Sequence, residues 1–286
     1  MQRVHALRVS GLGIVVCIFA FGFRVAAEQL AQQPLENILR DIPQDWQEGG
    51  WDKRQDLQQF IAQHADNAFL CARAQFYIAA QFYAERDHTH AIQAFEDLIR
   101  RYPSAWLECQ KARFEVGQVY LFRLNDPKQA LKAYQSAIED FPESFISARA
   151  LLMSGRAFDR MKETDAALEA FKKVIRDYAA YNREAAEAGI ASGNLLIQTA
   201  LASEESKNAE ALKTAVATFR QALYACPPEE SGCMKQAIDG VYRSLRVLDG
   251  NSNRADQFIL YQKAGKSGED GIPGTPDDLA DPLEHL

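Results

Sequence analysis

The sequence lacks the short motifs that usually accompany catalysis. It contains no Gly-x-Ser-x-Gly nucleophile elbow, no Gly-x4-Gly-Lys-Ser/Thr phosphate loop and no His-Glu-x2-His zinc motif. The Gly-Lys-Ser string at residues 265–267 has no glycine at the upstream position that a phosphate loop needs. Acidic residues are dispersed along the chain without a paired-carboxylate pattern. We therefore expect no catalytic residues, no cofactor and no enzymatic activity.

Potential metal ligands are close together in one short stretch, which contains Glu85, Asp87, His88 and His90. Two histidines at positions i and i+2 do not share a helix face, so they do not form a pair of helical ligands. The stretch has the polar composition of a turn between two helices. We expect a solvated turn there and no metal site.

Basic residues are fewer than acidic ones. The chain has 32 Lys and Arg against 39 Asp and Glu, a formal net charge of −7. Removing residues 1–27 takes away three arginines and no acidic residue, which leaves 29 against 39, or about −10. A strongly acidic chain is a poor match for the phosphate backbone, so nucleic acid is not expected as a partner.

Long apolar runs are missing except near the N-terminus, from Val9 to Phe23. Arg3 and Arg8 precede this run, and small residues follow it at Ala26 and Ala27, as in a cleavable secretory signal peptide. The run is short for spanning a bilayer, which takes about 20 residues. Export to the periplasm or cell envelope is therefore expected, with membrane attachment only if the segment stays uncleaved as an anchor.

A helical-hairpin pattern is present four times between about residues 68 and 228. In its second helix an alanine is followed four residues later by an aromatic residue, and seven residues after that by the residue that ends the helix. The copies are Ala91–Phe95–Tyr102, Ala130–Tyr134–Phe141, Ala167–Phe171–Tyr178 and the looser Ala215–Phe219–Cys226. The alanines lie 39, 37 and 48 residues apart (130 − 91, 167 − 130, 215 − 167). Such a period is typical of solenoids, whose units bury their apolar faces against neighbouring units.

This pattern resembles the tetratricopeptide repeat family. The family places a small residue in the first helix so that two antiparallel helices approach closely, and Ala79, Gly117 and Gly155 fit that role. The long period and the Tyr-Pro or Phe-Pro helix endings resemble exported envelope members, such as the Tol–Pal-associated periplasmic protein and the β-barrel-assembly lipoprotein. The resemblance implies an all-α fold, a right-handed α-solenoid of TPR-like helical hairpins.

These assignments divide the chain into consecutive segments. A signal peptide (1–27) and a leader or linker (28–50) precede the α-solenoid (51–264), and an acidic Gly/Pro-rich tail (265–286) ends the chain. The clearest repeats cover 69–103, 105–142 and 144–179, a looser unit covers 182–228, and C-terminal helices cover 231–264. The tail is expected to be disordered, and calcium binding by its carboxylates is left open.

Three local expectations concern the repeats. Leu57 and Phe60 match the end of a second helix, which predicts a degenerate N-terminal unit that caps the stack. The second repeat has one residue more than its neighbours between its small residue and its alanine, 13 against 12 (130 − 117, 91 − 79), and we place the extra residue at 125–127. The fourth unit is expected to have a lengthened turn at 203–208.

Four cysteines follow the signal segment, which permits two disulfides in an exported chain. Cys226 and Cys233 flank a short turn between two helices, and we expect them to be bridged. Cys71 and Cys109 hold equivalent places in neighbouring repeats, eight residues before Ala79 and Gly117. A bridge between adjacent helices would be strained, so two buried small side chains are favoured there, with the bridge left open.

The resemblance implies that the first helices line a concave groove that binds a partner segment. Equivalent positions around each small residue combine cations with large apolar side chains. The groove residues so assigned are Arg73, Phe76, Tyr83, Lys111, Phe114, Gln118, Leu121, Arg149, Leu152 and Arg156. The partner is expected to be a protein or peptide segment with acidic and apolar side chains.

The sequence therefore predicts a non-catalytic protein–protein interaction scaffold or adaptor in the bacterial cell envelope, with a role in envelope maintenance or outer-membrane assembly by resemblance. A repeat domain that recognises cell-wall polymer, peptidoglycan or another sugar, for a separate enzyme is the alternative.

Overall fold

A computed structural model describes the chain in the ranges 32–42, 44, 47, 50–202, 205–227, 229–248 and 255–259. The expected signal peptide and the acidic tail lie outside these residues. Every regular element in the described ranges is helical, which confirms the all-α class. No helix in these ranges is both long enough and apolar enough to cross a membrane.

The helices follow one another with short connections. They are α1 (32–39), α2 (Arg54–Gln63), α3 (Ala68–Ala84), α4 (His88–Arg101), α5 (Trp106–Gln118), α6 (Pro127–Asp140), α7 (Phe145–Arg160), α8 (Thr164–Asp177), α9 (Asn182–Ala202), α10 (Glu205–Ala225), α11 (Ser231–Leu248) and α12 (255–259). A π-helical turn, Val119–Arg123, follows α5. The chain forms two compact units, one up to residue 119 and one from residue 120.

In the first unit, α3 and α4 form an antiparallel hairpin and α5 packs against both helices. On the other side α2 packs against α3, with Leu57 and Phe60 buried beside Leu35. This confirms the helix expected before the first full repeat, and its apolar face is covered as the end of a stack requires.

In the second unit, α6 to α11 pack as a series in which each helix contacts the next one along the chain. The helices α7 and α9 also contact each other, as do α9 and α11. Contacts between neighbours and next neighbours are the pattern of stacked hairpins, because each repeat covers the apolar face that the previous repeat leaves open.

The repeat signature occupies the interior of both units. The alanine and the aromatic residue of each copy have at most 2% exposure; they are Ala91, Phe95, Ala130, Tyr134, Ala167, Phe171, Ala215 and Phe219. In the third repeat the Phe171 ring lies against Gly155, where an added Cβ would come within 2.4 Å of Phe171 Cε1. The small residue of the first helix therefore makes room for the aromatic ring of the second, as the pattern predicts.

Two expectations about the repeats are wrong: the place of the extra residue in the second repeat and the lengthened turn in the fourth unit. The extra residue of the second repeat is taken up by the π turn Val119–Arg123, because a π turn accommodates one more residue than an α turn. The segment 125–127 instead starts α6 as expected, since Asp126 Oδ1 accepts a hydrogen bond from Gln129 N at 3.1 Å and Pro127 is the first helical residue.

In the fourth unit, the added length lies in the helices and not in the turn. The helix α10 already begins at Glu205, inside the expected turn of 203–208. Both α9 and α10 have 21 residues, against 16 and 14 in α7 and α8. The last C-terminal helix is described over 255–259 only.

Candidate binding cleft

A cleft of about 660 Å³ opens in the second unit, between α7, α9 and the start of α11. Its lining includes the apolar Ile190 and Ala191 of α9 and the cationic Arg156 of α7. Residues 229–233, which end the connection from α10 and form the first turn of α11, also line the cleft, and we call them the cleft wall. The cleft therefore lies on the first helices of two successive hairpins and on the helix that follows them.

A series of ion pairs crosses the cleft. Arg156 Nη2 lies 3.0 Å from Glu187 Oε2, and Arg183 Nε lies 3.3 Å from Glu187 Oε1. Arg183 Nε also lies 3.5 Å from Glu230 Oε1 on the cleft wall. These pairs are partly exposed, so each contributes little to stability, about 0–1 kcal/mol. Their main consequence is that two arginines and two glutamates balance one another in charge along the cleft.

Two turns before Arg156 on α7, Arg149 is exposed and lies over the Phe145 ring, with its Cζ 5.6 Å from the ring centroid. The Phe145 side chain is 45% exposed and packs edge-on against Tyr181, with centroids 5.8 Å apart. Glu184 lies nearby and is almost fully buried. Burial raises the pKa of the Glu184 carboxyl, and the charge of Arg149 acts in the opposite direction.

The residues that the sequence assigns to the groove fall into two groups. Cationic and polar members are accessible: Lys111 and Arg149 are exposed, and Arg73, Gln118 and Arg156 are partly exposed, as is the aromatic Phe76. The other four are buried in the packing of the helices, at 5% exposure or less: Tyr83, Phe114, Leu121 and Leu152. Their apolar side chains hold the repeats together in this structure, and a role for them in partner binding stays a prediction.

Of the assigned groove residues, Arg156 lines the cleft. Sequence reasoning missed its partners, although a signal for them exists. Counted from Gly193, the small residue of the fourth repeat, Glu187 takes the place that Arg73, Lys111 and Arg149 take in the earlier repeats (193 − 187 = 6). Asn194 takes the place of Arg156, one residue after the small residue. The basic row therefore continues into an acidic residue, which neutralises Arg156.

The expected bridge between Cys226 and Cys233 is present, with Cα atoms 5.8 Å apart. Cys71 and Cys109 are thiols buried in the first unit. The Cys71 Sγ donates to His64 O at 3.1 Å and the Cys109 Sγ donates to Tyr102 O at 3.3 Å. Each thiol thus satisfies a carbonyl at the end of the preceding helix.

The polar turn of the first hairpin is a helix start. Asp87 Oδ1 accepts a hydrogen bond from His90 N at 3.2 Å, and Asp87 Oδ2 lies 2.6 Å from His90 Nδ1. The His90 ring also stacks on Phe82, with centroids 5.4 Å apart. These contacts account for the side chains of Asp87 and His90 as parts of the N-terminal cap of α4.

Stacked helical hairpins with a polar cleft on their first helices define a helical-repeat interaction module. A family profile described as tetratricopeptide repeat matches residues 78–144 and again 119–182. Residues 78–182 therefore contain tetratricopeptide repeats, and these repeats support a scaffold for protein–protein interaction.

Two solved structures are similar to this chain. The crystal structure of MamA is 19% identical with a TM-score of 0.38, and the match covers 59% of this chain and 93% of that one. The crystal structure of BtubC (BKLC) from P. vanneervenii is 11% identical with a TM-score of 0.47, covering 78% of this chain and 93% of that one. No curated protein sequence matches this chain significantly.

Proposed function

We propose that this protein is a non-catalytic adaptor of the bacterial cell envelope, which binds an extended segment of a partner protein across the first helices of its second unit. The observation that carries this proposal is the cleft between α7, α9 and α11, whose lining combines apolar and charged side chains. Such a surface suits a peptide, because backbone and polar side chains can pair along its sides while apolar side chains rest on Ile190 and Ala191.

The partner segment combines acidic and apolar side chains. Arg149 is exposed on α7, two turns before the cleft residue Arg156, and its guanidinium over Phe145 lies next to an exposed aromatic face. An acidic side chain of the partner would pair with Arg149, and an apolar one would cover Phe145. A charge at the rim of an interface chiefly changes the association rate and its salt dependence, whereas a covered aromatic residue contributes more to affinity.

Location in the envelope is supported by the signal-like segment at residues 1–27 and by the disulfide, which is typical of chains that fold in an oxidising compartment. A role in envelope maintenance or outer-membrane assembly is the part of the proposal that depends on resemblance alone.

The test is capture of partners from envelope extract with the tagged protein, followed by direct binding of the purified partner. Arg149→Glu should weaken that binding, and most strongly at low ionic strength, where charges are least screened. The matched control is Lys172→Glu, which makes the same charge change at an exposed position on the second helix α8.

Circular dichroism must first show that both variants keep their helices. Equal binding by the parent, Arg149→Glu and Lys172→Glu would show that Arg149 and the part of α7 around it do not contact the partner. Capture of cell-wall fragments without any protein would favour the alternative class, a polymer-binding repeat domain.

A further inference from the structure

The lining of the cleft carries more negative than positive charge. Its cations are Arg156 and Arg183, and its carboxylates are Glu187, Glu229 and Glu230. Two cations against three carboxylates give this surface a formal charge of −1 (2 − 3). A partner segment that enters the cleft therefore meets a surface that is negative in sum, although cations stand elsewhere on α7.

Both cations of the lining are already engaged. Arg156 Nη2 lies 3.0 Å from Glu187 Oε2. Arg183 Nε is shared, at 3.3 Å from Glu187 Oε1 and 3.5 Å from Glu230 Oε1. An acidic side chain of a partner would compete with these carboxylates for a guanidinium. The lining therefore disfavours acidic side chains inside the cleft.

Glu229 is the carboxylate of the lining that has no counter-charge. Its side chain is exposed, and it forms no ion pair with any residue in the described ranges. The nearest carboxylate in the chain, that of Glu230, already shares Arg183 with Glu187. A cation that a partner brings to the cleft wall would therefore gain an attraction at Glu229 without breaking an existing ion pair.

The rest of the lining suits the stem of a long cationic side chain. Ile190 and Ala191 contribute apolar groups, and the methylene stem of Lys or Arg packs on such groups while its charged end reaches a carboxylate. The volume of about 660 Å³ is within the range of pockets that hold a ligand, about 300–1,000 Å³. The cleft thus has room for one long side chain together with its backbone.

We propose that the cleft selects a cationic side chain: a Lys or Arg of the partner segment pairs with Glu229 on the cleft wall while its stem covers Ile190 and Ala191. This inference rests on the proposed function, in which an acidic side chain of the same segment pairs with Arg149 on α7. The partner segment then carries charges of both signs at different places. Segments that are acidic throughout are rejected by the carboxylates of the lining.

The probe is a library of random peptides displayed on phage and selected on the purified protein at low ionic strength, where exposed charges are least screened. The retained peptides should be enriched in Lys and Arg over the unselected library, and they are then synthesised for measurement of Kd. Retained peptides without Lys or Arg would overturn the proposal.

The variant Glu229→Lys should weaken the retained peptides by about tenfold, because a repulsion replaces an attraction, and Glu229→Gln should weaken them by about threefold. The matched control is Glu169→Lys, which makes the same charge change at an exposed position of α8 outside the cleft and should leave Kd unchanged. Circular dichroism must show that all three variants keep their helices. Equal weakening by Glu229→Lys and Glu169→Lys would reduce the effect to overall charge and overturn the proposal.

A charge swap separates pairing from a merely structural role of Glu229. A retained peptide whose Lys or Arg is replaced by Glu should bind Glu229→Lys more tightly than it binds the parent. If it binds the parent at least as tightly, its cation does not pair with Glu229, and the inference fails.

The two proposals fail in different ways. Peptides that require Arg149 but bind the parent and Glu229→Lys equally would refute the selection of a cation and leave the proposed function standing. Peptides that lose affinity for Glu229→Lys and bind Arg149→Glu as well as the parent would support the selection of a cation. They would also remove Arg149 and the part of α7 around it from the proposed binding surface.

Discussion

The ring of Phe219 provides the sharpest test of the packing. It is fully buried on α10, between Gly193 of α9 and Gly240 of α11. A Cβ added at Gly240 would lie 2.2 Å from Phe219 Cε1, and one added at Gly193 would lie 2.6 Å from Phe219 Cε2. Since carbon atoms pack at about 3.5 Å, Gly240→Ala creates an overlap of more than 1 Å. The ring cannot simply yield, because moving away from α11 drives it towards α9.

The expected cost follows from two opposing terms. An extra methyl group forced into a well-packed core costs about 1–3 kcal/mol. Replacing a glycine inside a helix by alanine stabilises the folded state by up to about 1 kcal/mol through better helix propensity. With so short a contact we place the packing cost in the upper half of its range. The free energy of unfolding should therefore fall by about 1–2 kcal/mol in Gly240→Ala.

Urea unfolding followed by far-ultraviolet circular dichroism measures this change. Gly232→Ala is the matched control, because it adds the same methyl group in the same helix at a position with no atom within 4 Å of the new Cβ. It should leave stability unchanged or raise it slightly. In a Phe219→Leu background, Gly240→Ala should cost less, because the smaller side chain leaves room for the methyl group. If Gly240→Ala and Gly232→Ala have the same unfolding midpoint, the close approach of α10 and α11 at this ring is not real.

The remaining predictions concern single groups. The intact mass of the oxidised protein should be about two hydrogens lower than after reduction, and the link should map to Cys226 and Cys233; two thiols in native material would contradict this. Loss of the bridge should lower the free energy of unfolding by up to about 2.5 kcal/mol through loop-closure entropy. Lys162 has φ of 63°, a left-handed value that glycine adopts more easily, so Lys162→Gly should raise the free energy of unfolding by about 0.5–1 kcal/mol in urea unfolding. Burial raises the pKa of Glu184, so the free energy of unfolding should fall as pH rises from about 4.5 through the folded pKa. Glu184→Gln should flatten this part of the stability–pH profile, and an unchanged profile would contradict the raised pKa of Glu184. If residues 1–27 are a cleaved signal, N-terminal sequencing of envelope material should start near Glu28, and recovery of an intact N-terminus in a membrane fraction would indicate an anchor.

The sequence was a good guide to the positions that recur. Ala91 and Phe95, with their equivalents in the later repeats, are buried because every hairpin needs a small residue and a ring where its two helices meet. The start of α6 at Asp126 and Pro127 was also predictable, since both residues act locally on the helix terminus.

The features that the sequence alone could not locate depend on longer-range packing. A π turn and a longer connection both fit the spacing of the second repeat, so the count of residues alone could not locate the extra residue. Phe114 and Leu152 have the periodicity of a groove, but the same periodicity describes a helix covered on two sides by its neighbours. Predicting that Glu187 neutralises Arg156 requires the register of the fourth repeat, which is visible only when Gly193 is aligned with Gly155.

The thiols of Cys71 and Cys109 have a consequence for how the oxidised chain is produced. A single bridge among Cys71, Cys109, Cys226 and Cys233 can form in six ways; the one observed joins residues 7 apart, whereas a Cys71–Cys109 bridge would join residues 38 apart (109 − 71). Closing a shorter loop costs less entropy, so the local bridge has the highest effective concentration in the unfolded chain. Burial in the first hairpins raises the pKa of the Cys71 thiol, which lowers the fraction of thiolate available for exchange. Proximity therefore favours the Cys226–Cys233 bridge, and burial of Cys71 reduces the competing exchange as the hairpins form.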